Sequence, residues 1–203
     1  MSRTVRIGDL KDIHEGKRLF VLASGPSLTS HDLSLLDRRL VMGLNRSFFA
    51  YPHAYYHCAM DKRLFELFPT QLTTTRCLFT LPSCPWGIPI ELLGAEGFSW
   101  DLEEGIYSGY TIAHYALQAA VYMGFKEIFY LGLDLKHQNG NTHFFGQDFH
   151  SRDHESTEFP RMLRMLQRGV AEVAQSGVSV YNCSPVADLE CFSKMSYTDA
   201  VAR

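Results

Sequence analysis

The sequence has 203 residues, 46% hydrophobic and 20% charged, which is typical of a globular protein with one substantial core. Its formal net charge of −3 argues against a general nucleic-acid-binding surface, which normally shows a clustered basic excess. Five cysteines without CxxC spacing, no apolar signal region after Met1 and no long apolar run favour a reduced, cytoplasmic protein without a membrane-spanning helix.

Six segments have the length and apolar composition of buried strands: residues 18–23, 40–44, 54–59, 76–81, 127–133 and 178–181. Helices are predicted over residues 30–36, 61–68, 112–123 and 160–175, with Pro160 in a first helical turn. Residues 82–97 are rich in Pro and Gly and show no clear pattern. Because strands and helices alternate, we expect a single α/β domain over residues 1–203, with a doubly wound, mostly parallel, Rossmann-like sheet and a variable loop at about 136–158.

The segment from residue 107 to 146 carries the strongest signal. Small side chains recur at helical spacing between Ile112 and Met123, so this helix can lie close against a sheet, and Gly124 ends it. The nearly continuous apolar run at 127–133 is typical of a central parallel strand that is covered on both faces. Asp134 therefore stands at the carboxyl end of a buried strand.

Ligands of open α/β sheets bind beyond the carboxyl ends of the strands, which predicts a polar site after this strand. The residues expected there are Asp134, Lys136, His137, Asn139, Asn141 and His143. The alternative is an ordinary solvated surface loop.

His143 is the sharpest catalytic candidate, because a neutral imidazole can remove a proton from an attacking hydroxyl near physiological pH. His137, His150, Asp153 and His154 share its region, but their spacing differs from the compact patterns of zinc sites. No GxSxG motif occurs and no cysteine has a local catalytic signature, so covalent catalysis is not expected.

A second polar group follows the first strand. Ser24, Gly25, Pro26 and Ser27 form a turn before a predicted helix, where backbone N–H groups can receive an anion such as phosphate. The turn is neither a GxGxxG fingerprint nor a Walker loop. A plain tight turn is the alternative.

Other polar residues stand at the ends of the next elements. Asn45 can bind a base or sugar edge and Arg46 a phosphate, unless they are a turn residue and a surface cation. Asp61 can hold a ribose, a metal ion or a substrate hydroxyl, or cap the following helix. Ser108 and Gly109 precede the long helix, where Ser108 can be an N-cap, a ligand contact or both.

Five stretches of the sequence carry a family resemblance: VLASGPSL at 21–28, GLNRSFF at 43–49, CAMDKRLFE at 58–66, the long segment at 108–134 and NTHFFG at 141–146. Together they resemble the bacterial family-42 sialyltransferases and the related MptE-like family, which contains the archaeal 6-hydroxymethylpterin diphosphokinase. The resemblance spans most of the chain.

The resemblance to the sialyltransferases implies a CMP-sugar site at Ser24 to Ser27, Asn45 and Ser108. NTHFFG is similar to their NSHYIG segment, which carries the general-base histidine, so the resemblance assigns that role to His143. Those enzymes invert the anomeric centre without a metal ion, and helper tyrosines favour departure of the nucleotide phosphate.

Three departures separate the chain from that pattern. Ser24 replaces the Asn of the GNGPSL loop, Lys136 stands at the first helper tyrosine, and about twenty residues of substrate lid are missing before His143. Lys136 could neutralise a leaving phosphate as a cation. A shorter lid leaves the site more open to water, and the chain is similar to a shorter bacterial branch that resembles both enzymes.

The leading hypothesis is a sialyltransferase-like glycosyltransferase without a cofactor, which uses a nucleotide sugar, with CMP-sugar favoured, in surface-glycan or flagellin modification. Its expected partners are the donor and a glycan acceptor, with no nucleic acid and at most peripheral contact with the inner membrane; the oligomeric state stays open. The first alternative is an Mg²⁺-dependent diphosphokinase of a pterin-like alcohol, with Mg²⁺ at Asp61 or Asp134. The second is a non-catalytic nucleotide-binding protein.

Overall fold

The computed structural model describes residues 5–137, 140–146, 148–150, 152–186 and 189–203. The strands in these ranges are β1 (Arg18–Leu22), β2 (Val41–Leu44), β3 (Tyr56–Cys58), β4 (Cys77–Thr80), β5 (Ile88–Pro89), β6 (Leu92–Gly94), β7 (Ile106–Tyr107), β8 (Glu127–Leu131), β9 (Ser179–Asn182) and β10 (Ser193–Lys194). The α-helices are α1 (Lys62–Leu67), α2 (Pro69–Thr73), α3 (Ile112–Tyr122), α4 (Arg152–Ala174) and α5 (Tyr197–Ala202). No helix in the described ranges is long and apolar enough to cross a membrane.

Eight strands form one sheet in the order β10-β9-β8-β1-β2-β3-β4-β5, and every neighbouring pair in it is parallel. From β1 the chain builds one half of the sheet outward to β5, then returns with β8 on the other side of β1. The predicted doubly wound, Rossmann-like α/β sheet is therefore confirmed. The strand order reverses between β1 and β8, and ligands of such sheets bind at this point.

The central strands are buried on both faces. In β1, Leu19 and Val21 belong to the core cluster that contains α3 and α4, whereas Phe20 and Leu22 belong to the cluster on the other face with α5. Successive strand residues point to opposite faces, so a strand covered on both sides is a continuous apolar run. This arrangement explains why β1 and β8 were recognisable in the sequence.

The six predicted strands are present, with ends that differ from the prediction by at most two residues. Gly124 ends α3 as predicted, in a left-handed conformation with φ of 89°. β5, β6, β7, β10, α2 and α5 were not predicted. Strands of two or three residues and helices of five or six are too short to show a period.

Two predicted helices were wrong in extent. Residues 30–36 do not form an α-helix but parts of two 3₁₀ helices, Pro26–Ser30 and Leu33–Leu36. The carboxylate of Asp32 accepts a hydrogen bond from the Ser34 N–H group at 3.1 Å, and this local bond replaces helix continuation.

α4 begins at Arg152, so Pro160 lies inside the helix rather than in its first turn. The Ser156 hydroxyl contacts His137 Nε2 at 2.7 Å, and Phe159 packs against the same imidazole. These contacts hold the turns before Pro160 against the segment after β8, although proline removes one backbone donor from the helix.

Candidate functional site

A cavity of about 270 Å³ lies at the carboxyl ends of β1, β2 and β8, where the strand order reverses. Its polar and aromatic wall residues are Ser24, Asn45, Tyr110, Thr111, Asp134, Thr142, His143, Asp148, His150 and Phe159. Gly25 also lines it. The structure thus brings together five predicted site residues: Ser24, Gly25, Asn45, Asp134 and His143.

The loop from Ser24 to Ser27 is fixed from behind by Asp134, which is only 2% exposed. The carboxylate accepts hydrogen bonds from the Ser27 N–H group at 2.9 Å and from the Ser27 hydroxyl at 2.5 Å. The Gly25 N–H group donates to the Gly132 carbonyl at 2.7 Å. Both N–H groups are therefore engaged within the protein and do not make the predicted anion contact in this structure, whereas the donor-binding role of the loop stays a prediction.

Gly25 is required by the closeness of this packing. A β-carbon at this position would lie 2.6 Å from Asp134 Oδ2 and even closer to the Gly132 carbonyl. Pro26 and Ser27 begin a 3₁₀ helix behind the cavity wall. Of the loop, Ser24 and Gly25 face the cavity.

Asn45 lines the cavity and has a left-handed backbone conformation with φ of 47°. Its carbonyl accepts a hydrogen bond from His57 Nε2 at 2.8 Å. Burial lowers the pKa of His57 to about 4, against a smaller opposing effect of this hydrogen bond. A neutral, buried imidazole thus fixes the Asn45 backbone, while in the described residues the Asn45 amide has no hydrogen-bond partner.

Arg46 turns away from the cavity wall and forms an ion pair with Asp148, with 2.9 Å between Nη2 and Oδ1. Its guanidinium lies 5.2, 4.7 and 4.1 Å from the ring centroids of Phe68, Phe145 and Phe149. The side chain is 11% exposed. The structure therefore places Arg46 in an internal ion pair instead of the predicted phosphate contact.

His143 reaches the cavity from a loop that is docked on the first one, because the Phe144 N–H group donates to the Ser24 carbonyl at 2.9 Å. His143 Nδ1 lies 2.9 Å from the Thr142 hydroxyl oxygen, and Nε2 lies 3.7 Å from Asp148 Oδ2. An Nδ1–H group that donates to Thr142 would leave Nε2 as the basic nitrogen. This geometry suits a general base with an orienting hydroxyl and a nearby carboxylate.

Ser108 and Gly109 do not line the cavity. The two residues that follow them in the sequence, Tyr110 and Thr111, do. Thr111 is the N-cap of α3, with its hydroxyl accepting from the Ala113 N–H group at 3.3 Å. Of the alternatives for Ser108, the N-cap was therefore wrong, and the ligand contact stays a prediction. The helix begins later because Gly109 and Tyr110 both have a φ of 59°, which is incompatible with an α-helix.

Asp61 lies off the wall and caps α1, where it accepts from the Arg63 N–H group at 2.9 Å and pairs with the Arg63 guanidinium. Burial alone would raise the Asp61 pKa, but the hydrogen bonds and charge of Arg63 lower it. Lys136 is half-buried and Asn141 is exposed, and neither lines the cavity. Asn139 lies outside the described residues.

The two carboxylates considered as alternative Mg²⁺ ligands both have partners within the protein and lie apart from each other. Asp61 is engaged by Arg63 and Asp134 by Ser27. They follow β3 and β8, which are three strand spacings apart in the sheet, or about 14 Å. No group of three His, Cys, Asp or Glu side chains in the described ranges is arranged to hold a metal ion.

Five polar wall residues were not predicted as site residues: Tyr110, Thr111, Thr142, Asp148 and His150. Thr111 and Thr142 adjoin predicted residues, and a window of two residues around each motif would have included them. Asp148 gave no such signal, since its position follows from an ion pair with an arginine 102 positions earlier.

No family model matches the sequence, and no curated protein matches it significantly. Solved structures of the sialyltransferase CstII from Campylobacter jejuni share the fold. The complex with cytidine-5'-monophosphate matches with a TM-score of 0.53 and 13% identity, over 90% of this chain and 86% of that chain. The complex with CMP-3FNeuAc gives 0.55 and 13%, over 89% and 86%. At this identity the likeness shows the fold alone.

Proposed function

We propose that this protein is a glycosyltransferase that transfers a sugar, a sialic acid in the first instance, from a CMP-sugar to a hydroxyl of a glycan acceptor. The observation that carries the proposal is the meeting of Gly25, Asn45 and His143 around one cavity at the switch point of the sheet. CMP and CMP-3FNeuAc are the ligands of the sialyltransferase structures that share the fold. The cellular setting we propose is surface-glycan or flagellin modification.

The charge of the cavity wall supports a donor with one phosphate. No Lys or Arg is among the wall residues in the described part of the chain, and the wall carries two carboxylates, Asp134 and Asp148. The amino-terminal end of α3, with Thr111, supplies partial positive charge. This environment suits a nucleoside monophosphate better than a diphosphate, whose greater charge is usually met by Mg²⁺ or arginine.

Each proposed donor contact has its own task. The Asn45 amide hydrogen-bonds the nucleoside, Ser24 and Gly25 lie against it, and the end of α3 receives the phosphate. Lys136 is proposed to neutralise the departing phosphate. Since Lys136 lies off the wall, this role requires residues 135–137 to move when the donor binds.

In the proposed reaction, a lone pair of the acceptor hydroxyl oxygen forms a bond to the anomeric carbon. The bond between that carbon and the phosphate oxygen breaks, and its electron pair leaves with CMP. The acceptor proton passes to His143 Nε2. Bond formation opposite the leaving group inverts the anomeric centre, and no oxidant, reductant or metal ion is needed to balance the step.

A thermal-shift screen with CMP, CDP, UDP, GDP and ATP, each with and without Mg²⁺, tests the donor class. We expect CMP to stabilise the protein without Mg²⁺, by about 2.7 kcal/mol at a hundredfold excess over Kd. Stabilisation by ATP with Mg²⁺ alone would favour the diphosphokinase. Binding of CMP without turnover of any CMP-sugar would favour the non-catalytic alternative, and no nucleotide binding would contradict the proposal.

A further inference from the structure

A continuous series of ring and guanidinium contacts connects His143 to Arg63 in the first turn of α1, the helix that follows β3. The His143 imidazole stacks on the Phe145 ring, with 5.0 Å between the ring centroids. The Arg46 guanidinium lies 4.7 Å from the centroid of the same Phe145 ring. Arg46 contacts Phe149 at 4.1 Å, and Phe149 contacts the Arg63 guanidinium at 4.4 Å. Contacts between cations and aromatic rings are individually worth about 1 kcal/mol, and three of them together with the His143–Phe145 stack fix the His143 loop on the end of β2 and on α1.

Asp148 lies between two members of this series, Arg46 and His143. One carboxylate oxygen pairs with Arg46 at 2.9 Å, and the other lies 3.7 Å from His143 Nε2. The side chains of Arg46, Asp148 and His143 are 11%, 19% and 23% exposed. Charges so poorly exposed interact more strongly than a solvated surface pair, because less water screens them.

We propose that Asp148 stabilises the imidazolium that forms when His143 takes the acceptor proton, and that Arg46 holds Asp148 in place for this. Both are positioning residues that act through His143, and the inference rests on the proposed function. The proton moves from the acceptor oxygen to Nε2, the nitrogen nearest the Asp148 carboxylate. The new positive charge thus forms beside a fixed negative one.

Arg46 has a second effect with the opposite sign. A carboxylate next to an imidazole favours the protonated ring, and a nearby guanidinium disfavours it. The Arg46 charge therefore limits protonation of His143 before the acceptor binds. The other titratable groups on the cavity wall are Asp134, His150 and Tyr110, and they are the same in every variant below.

Nuclear magnetic resonance titration of the His143 ring tests the electrostatic pairing without any substrate. In Asp148→Asn, which keeps the size and an acceptor oxygen, the titration midpoint should fall by about one pH unit relative to the unaltered protein. In Arg46→Gln it should rise, because Asp148 loses its counterion. Asp153→Asn, an exposed position on α4, is the matched control and should leave the midpoint unchanged. An unchanged midpoint in both test variants would overturn the proposal, and if one variant does not fold the other decides.

Kinetics with CMP-N-acetylneuraminic acid test whether the pairing serves the reaction. Asp148→Asn should lower kcat by about tenfold to a hundredfold and move the acidic limb of the pH profile to lower pH, with the donor KM within about threefold. Added to His143→Ala, it should have no further effect on kcat. Full activity of Asp148→Asn with an unshifted limb overturns this inference alone. Full activity of His143→Ala overturns the assignment of His143 as the base, and no turnover of CMP-N-acetylneuraminic acid by the unaltered protein overturns the proposed function instead.

Discussion

Asp134 and Ser27 are joined by two hydrogen bonds across 107 positions of the sequence, from the serine N–H group at 2.9 Å and from its hydroxyl at 2.5 Å. Both residues are buried. The carboxylate thus fixes the loop that forms one side of the cavity, and these hydrogen bonds offset part of the cost of its burial.

Replacement of Asp134 by alanine should therefore destabilise the protein. The change leaves the Ser27 N–H group without its acceptor and the Ser27 hydroxyl with Ser184 alone, at a cost of about 3 kcal/mol. Urea denaturation measures the loss, and Glu104→Ala, an exposed carboxylate, should change the free energy of unfolding by less than about 0.5 kcal/mol. Equal stability of the two variants would show that Asp134 does not hold the loop.

Stability should also fall as the solution is acidified, because His57 is buried as a neutral ring. Burial lowers its pKa from 6.5 to about 4 in the folded protein. Between these values the unfolded chain binds a proton that the folded protein does not, so the stabilisation present above pH 6.5 is lost progressively toward pH 4. The full loss is about 3 kcal/mol.

The contribution of His57 is measured by urea denaturation of the unaltered protein and of His57→Gln over this pH range. It is the difference between their free energies of unfolding at each pH. His57→Gln can still donate a hydrogen bond to the Asn45 carbonyl but does not titrate, so its stability should depend less steeply on pH. Parallel pH dependences in the two proteins would contradict the burial of a neutral His57.

Asn45→Gly separates the side chain of Asn45 from its backbone. Glycine adopts the left-handed conformation of this position without strain, so the melting temperature should change little while the amide is lost. We expect CMP affinity, measured by calorimetry, to fall by about tenfold. Asn141→Gly, at an exposed position off the wall, is the control, and equal affinities of the two variants would exclude Asn45 from the donor site.

Local patterns predicted the parts of the molecule that are determined locally. β1 and β8 were recognisable because both faces are covered, and Gly124 because a helix end requires a left-handed residue. The meeting of Gly25, Asn45 and His143 followed from one rule, that the carboxyl ends of parallel strands meet at the same edge of the sheet. All three residues lie in segments that follow such strand ends.

Contacts between distant segments were out of reach of the same reasoning. Arg46 looked like a ligand because a guanidinium after a strand end often is one, yet its partner is Asp148. Asp61 looked equally suited to capping and to binding, and Arg63, two residues on, decides for the cap. The partner of Arg46 could not be predicted because it depends on how the loop that carries Asp148 packs. The partner of Asp61 is local, and the sequence alone left capping and binding equally open.

The central claim is that His143 acts as the base in a transfer from a CMP-sugar, and it is tested most directly by comparing the unaltered protein with His143→Ala. CMP release from CMP-N-acetylneuraminic acid is followed with a panel of glycan acceptors, and CMP affinity by calorimetry. The account predicts that kcat falls by about a hundredfold or more while the Kd for CMP stays within about threefold. Equal loss of turnover and CMP binding, or turnover that His143→Ala leaves intact, would contradict it.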